Sequence, residues 1–70
     1  MSNSPKLGQN VIIGENVTFG KDVVIRNNCI IEDNVVLEDG VYIDNNCLIR
    51  NDVYLGENTA VGANCILGEY

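Results

Sequence analysis

The sequence predicts an all-β chain that winds repeatedly around one apolar interior, and three observations carry that prediction. From residue 11 the chain divides into ten hexads: VIIGEN, VTFGKD, VVIRNN, CIIEDN, VVLEDG, VYIDNN, CLIRND, VYLGEN, TAVGAN and CILGEY. A fixed short period takes precedence over any other reading of a sequence. The first place of each hexad is small and the third is apolar, and residues two apart share one side of an extended strand. The sixth place is Asn, Asp or Gly in every unit from Asn10 to Asn64, the residue types that accept the positive φ of a tight corner.

Taken in order, residues 1–6 are a polar lead-in, expected to be flexible, with Pro5 holding the backbone extended just ahead of the repeat. Leu7-Gly8-Gln9-Asn10 is the tail of a further unit, so residues 7–70 are expected to form one repeat domain. Within it the first place holds mostly valine, with Cys29, Cys47, Thr59 and Cys65 as the exceptions. The third place runs Ile13, Phe19, Ile25, Ile31, Leu37, Ile43, Ile49, Leu55, Val61 and Leu67. Each hexad therefore reads as a three-residue strand followed by a three-residue corner. Pro5 is the only proline, as suits a ladder that needs its N–H donors.

Composition narrows the function classes. Ten acidic against four basic residues give a net charge of −6, which argues against nucleic acid or an anionic membrane surface as partner. No apolar run approaches the ~18 residues of a membrane span. The N-terminus lacks the basic start and apolar core of a signal peptide. The expectation is a soluble, cytoplasmic chain.

Ile13-Gly14-Glu15-Asn16-Val17, Phe19-Gly20-Lys21-Asp22-Val23 and Leu55-Gly56-Glu57-Asn58-Thr59 resemble the signature of the hexapeptide-repeat superfamily. That signature is an aliphatic residue, often Gly, two free places and a small residue. Arg26, Glu32, Glu38, Asp44 and Arg50 stand where Gly is frequent. The resemblance implies a left-handed parallel β-helix, triangular in section, with three hexads per coil and about three and a half coils in residues 7–70. It also implies homotrimeric assembly. For a full-length enzyme it implies acyl transfer from acetyl-CoA or another thioester carrier to a hydroxyl or amine, often on a sugar.

A coil of three hexads stacks Val11, Cys29, Cys47 and Cys65 in one inward column. An odd number of cysteines with no CxxC and no histidine makes a poor zinc site, so these are expected to be reduced, small apolar core residues. The same stacking sets Arg26 against Asp44, Glu32 against Arg50 and Lys21 against Asp39, three pairs of opposite charge. It also aligns Asn28, Asn46 and Asn64, whose amides suit a ladder. The acidic residues Glu32-Asp33 and Glu38-Asp39 match no calcium loop and read as a solvated rim.

The second place points outward, where polar residues are expected. One face instead carries Ile12, Ile30, Leu48 and Ile66; the next carries Thr18, Val36 and Tyr54, and the third Val24, Tyr42 and Ala60. An apolar strip on the outside of a chain marks an interface. Ile12, Ile30, Leu48, Ile66, Tyr42 and Tyr54 are therefore the candidate oligomer interface, with a homotrimer favoured.

The chemistry of acyl transfer needs a general base, which the superfamily's enzymes supply as histidine, and the chain has none. No hexad is interrupted by a loop that would build an acceptor pocket. No catalytic residue, cofactor-binding residue or metal ligand is assigned, and this stretch alone is expected to be inactive. Two readings follow. One is the β-helical portion of a hexapeptide-repeat acyltransferase; the other is a non-catalytic structural or oligomerisation module.

Overall fold

The computed structural model describes residues 4–68. It contains strands of two residues each: β1 (Lys6–Leu7), β2 (Ile12–Ile13), β3 (Thr18–Phe19), β4 (Val24–Ile25), β5 (Ile30–Ile31), β6 (Val36–Leu37), β7 (Tyr42–Ile43), β8 (Leu48–Ile49), β9 (Tyr54–Leu55), β10 (Ala60–Val61) and β11 (Ile66–Leu67). They form three parallel sheets in the orders β1-β4-β7-β10, β2-β5-β8-β11 and β3-β6-β9. Every third strand pairs, so residues 18 apart lie side by side, as Ile12 with Ile30 and Ile25 with Ile43. The all-β solenoid of three hexads per coil is thus the observed architecture. Residues 1–3 of the expected lead-in lie outside the described residues, and Lys6 is already paired with Val24.

The strands are shorter than the three residues expected. The reason lies in where the backbone hydrogen bonds go. In each hexad from Lys6 to Leu48 the second-place N–H donates to a first-place carbonyl of the next coil, as Ile12 to Cys29 at 3.0 Å. The fourth-place N–H donates to a third-place carbonyl, as Gly14 to Ile31 at 2.7 Å. The sixth-place N–H turns the other way, to the fifth-place carbonyl of the preceding coil, as Asn34 to Glu15 at 2.8 Å. The corner belongs to the ladder as much as the strand does.

That reversal needs a left-handed residue at the sixth place. Asn10, Asn16, Asp22, Asn28, Asn34, Asn46, Asp52, Asn58 and Asn64 all have φ between 59° and 64°, and Gly40 has φ 75°. A short polar side chain, or none, tolerates this conformation where others clash. Every sixth-place residue from 10 to 64 behaves as its type predicts.

The interior is filled by the first and third places. Val23, Ile25, Cys29, Ile31, Val35, Leu37, Val41, Ile43, Cys47, Ile49 and Val61 are buried, and no buried residue among those described is polar or charged. Val11, Ile13, Val17, Phe19, Val53, Leu55, Cys65 and Leu67 pack around them, partly buried. Thr59, the one hydroxyl at a first place, donates its Oγ1–H to the Gly56 carbonyl at 2.8 Å.

Candidate functional site

Three flat faces and three corner edges are what this fold offers a partner. The register sets the candidate residues into files. Ile12, Ile30, Leu48 and Ile66 are successive partners across β2, β5, β8 and β11, and their side chains stand on one face. Ile12 is 61% exposed and Ile66 68%, and Ile30 is exposed as well. The structure therefore joins four of the six candidate residues in one stripe. Tyr42 and Tyr54 stand on the other two faces, Tyr42 between Val24 and Ala60 and Tyr54 beside Val36.

The charge pairing expected at the corners does not form: none of the three stacked pairs closes to an ion pair among the described residues. Arg26 Nη1 instead donates to the Tyr42 hydroxyl at 3.0 Å, and the Tyr54 hydroxyl donates to Glu38 Oε2. Exposed pairs gain only ~0–1 kcal/mol in water, too little to hold long side chains along the axis. Glu38, by accepting that hydrogen bond, holds the Tyr54 phenol above the usual tyrosine range. The amide ladder expected along Asn28, Asn46 and Asn64 does not form among the described residues; the one side-chain amide bond in that column lies a coil earlier, where Asn10 Nδ2 donates to Asn28 Oδ1 at 3.2 Å.

The fifth place has a role that the sequence reading missed. Its N–H has no backbone partner in the ladder, and at five positions a side chain one coil on supplies the acceptor. Gln9 N donates to Asn27 Oδ1 at 2.8 Å, Glu15 N to Asp33 Oδ1 at 2.9 Å and Lys21 N to Asp39 Oδ1 at 2.7 Å. Asn27 N and Asp33 N reach Asn45 and Asn51 in the same way at 3.1 and 3.0 Å. Asp39 thus meets Lys21 through its backbone and not through its ammonium. Ala63 offers no acceptor to Asn45, whose N–H turns to the neighbouring Asp44 Oδ1 at 2.8 Å. The recurrence of Asn and Asp at fifth places was the available signal.

The cysteine column faces inward without a disulfide, Cys29 and Cys47 being buried and Cys65 partly exposed. Their thiols are held by carbonyl oxygens: Cys29 Sγ donates to Asp44 O and Cys47 Sγ to Gly62 O, each at 3.0 Å. Burial pushes the Cys29 thiol up, which suppresses the reactive thiolate. With a chromogenic disulfide reagent, Cys65 is expected to react in the folded chain, and Cys29 and Cys47 only on unfolding. Equal rates for all three would contradict the packing. Among the described residues no group of three His, Cys, Asp or Glu side chains is placed to hold a metal ion. No helix there is long and apolar enough to cross a membrane.

The surface presents apolar and aromatic faces between hydrogen-bonded corners. A family model described as GMPPB C-terminal domain matches residues 1–70. No curated protein and no solved structure matches the chain significantly. With the whole sequence matched and the β-helix observed, this chain belongs to the GMPPB C-terminal domain family, hexapeptide-repeat-like β-helices of nucleotidyltransferase-related proteins.

Proposed function

We propose that the chain is a non-catalytic β-helical module that assembles with copies of itself through the face of Ile12, Ile30, Leu48 and Ile66. The observation that supports this most is the register of that file, which makes a continuous aliphatic stripe of side chains pointing away from the core. Water-exposed apolar area in one strip favours burial against a like surface. A trimer in the cytoplasm is the form this proposal takes, on the superfamily resemblance. The family's own name, a C-terminal domain, suits a module that serves another part of a longer protein.

Acyl transfer is the second reading, favoured by the signature hexads at residues 13–17, 19–23 and 55–59. Acetyl-CoA or another thioester is the donor this reading implies. The residues present do not fit such a group. There is no histidine to act as base, and the depression of about 330 Å³ beside Thr18 and Val36 is rimmed by Glu38, Asp39 and Glu57, which repel a phosphate-bearing carrier.

Sedimentation equilibrium across a concentration series tests the proposal. The chain is expected to associate, and Leu48→Lys, which sets a charge in the middle of the stripe, is expected to yield monomer with the fold intact. A wild type that stays monomeric at all concentrations, or a Leu48→Lys variant that associates unchanged, would refute it.

A further inference from the structure

We infer that the face formed by β3, β6 and β9 is a docking surface for a basic, extended polypeptide segment. Charge is distributed unevenly over the three corner edges. The first edge (residues 8–10, 26–28, 44–46 and 62–64) follows the sheet that begins with β1. The second (14–16, 32–34 and 50–52) follows β2, β5 and β8, and the third (20–22, 38–40 and 56–58) follows β3, β6 and β9. All the acidic residues except Asp44 and Glu69 lie on the second and third edges, with Lys21 and Arg50 as the only cations there. These two edges carry the net charge of −6. They are the two that flank β3, β6 and β9.

The fold itself does not demand this charge. A fifth-place side chain has only to present Oδ1 to an N–H, and Asn45 and Asn51 do so as Asp33 and Asp39 do. A sixth-place residue has only to hold φ near 60°, and Asn does so as readily as Asp22 or Asp52. On the first edge both roles are filled by Asn: Asn27 and Asn45 at the fifth place, Asn10, Asn28, Asn46 and Asn64 at the sixth. Aspartate takes these roles only on the edges beside β3, β6 and β9. Where the two residues serve the backbone equally, placing the charged one on two edges alone points outward, to a ligand.

Between the rims the floor is Thr18, Val36 and the exposed Tyr54, with a depression reaching half-buried Phe19. A second copy does not suit this face, because like rims repel. A single metal ion does not suit it either, since no three ligand side chains converge among the described residues. An extended segment along the axis does. Its alternate side chains point to opposite sides, so apolar residues settle on the floor while lysine or arginine reaches the carboxylate rims, which repeat every ~4.8 Å along the coils. Charge complementarity of this kind sets both association and specificity.

The test uses fluorescence anisotropy of a labelled synthetic peptide of alternating Lys and Val. The chain is expected to bind it, and added salt is expected to weaken binding. Asp33→Asn/Asp39→Asn is expected to weaken it about tenfold while leaving the melting curve unchanged, because asparagine retains the Oδ1 acceptor. Ile12→Lys, on the self-association face, is expected to leave peptide binding intact, so the two proposals fail independently. No binding by the wild type, or equal binding by the double asparagine variant, would overturn the inference. So would spermine displacing the peptide at matching concentration, which would reduce the surface to a simple attractor of polycations.

Discussion

Ile43→Ala is expected to destabilise the chain by about 3–4 kcal/mol, lowering the melting temperature by roughly 15–25 °C for a domain of this size. Ile43 is fully buried and sits in register between Ile25 on one side and Val61 on the other. In a coiled array each layer contacts only its neighbours, so one truncation weakens the packing of the coils before and after it. The cavity has little means of collapse. The spacing of the coils is held by backbone bonds on either side, with Val24 N–H on Val41 O at 2.9 Å and Arg26 N–H on Ile43 O at 2.8 Å. Ile12→Ala removes the same atoms from a residue that is 61% exposed, and in dilute, unassociated protein it is expected to cost under about 1 kcal/mol. Chemical denaturation of both variants at low concentration measures the difference. Equal losses would mean that the third places do not form the core.

These two isoleucines also show what was legible in the sequence. Which residues face inward follows from a period of two within the strand and six along the chain, both written in residue type. The corners were equally plain, because a left-handed residue is chemically restricted, and Asn34 or Gly40 announces it without knowledge of any neighbour. The outward stripe of Ile12, Ile30, Leu48 and Ile66 needed only the coil length, and the observed register supplies the same alignment. What failed was the reading of the corner side chains. Lys21 and Asp39 stack as opposite charges, yet the bond that forms runs from the Lys21 N–H to Asp39 Oδ1. A short carboxylate one coil away reaches the backbone N–H without ordering a long side chain, whereas a solvated ion pair must order the lysine for ~0–1 kcal/mol. The fifth-place donor has no signature of its own. It becomes visible only when the backbone bonds of a whole coil are accounted for.

The fourth-place glycines divide by the same accounting, and Gly20→Ala against Gly56→Ala is the sharper test of it. Both follow an apolar third-place residue, Phe19 and Leu55, and both open a corner of the third edge. At Gly20 an added Cβ meets the Asp39 Oδ1 that caps Lys21, and also lies 2.5 Å from Asp39 N and 2.7 Å from the Glu38 carbonyl carbon. Two of those atoms are backbone, so rotating a side chain does not relieve the contact and the coils must part. Where a side chain already stands at this place, after Ile25 and Ile31, the capping bonds of the next residue are 3.1 and 3.0 Å, against 2.7 Å beside Gly20. A Cβ is admitted there with a looser cap. Gly20→Ala is therefore expected to cost about 2 kcal/mol. At Gly56 an added Cβ has nothing within 4 Å and φ is not positive, so Gly56→Ala is expected to stabilise by up to about 1 kcal/mol through the unfolded chain. Adding Asp39→Ala to Gly20→Ala should not restore stability, because the clash with Asp39 N persists and the Lys21 N–H loses its acceptor. Thermal melts of the three variants decide the matter. If Gly20→Ala matches Gly56→Ala, the close approach of coils at that corner is not what requires glycine, and the hydrogen-bonded corner loses its place as the element that sets the register of the fold.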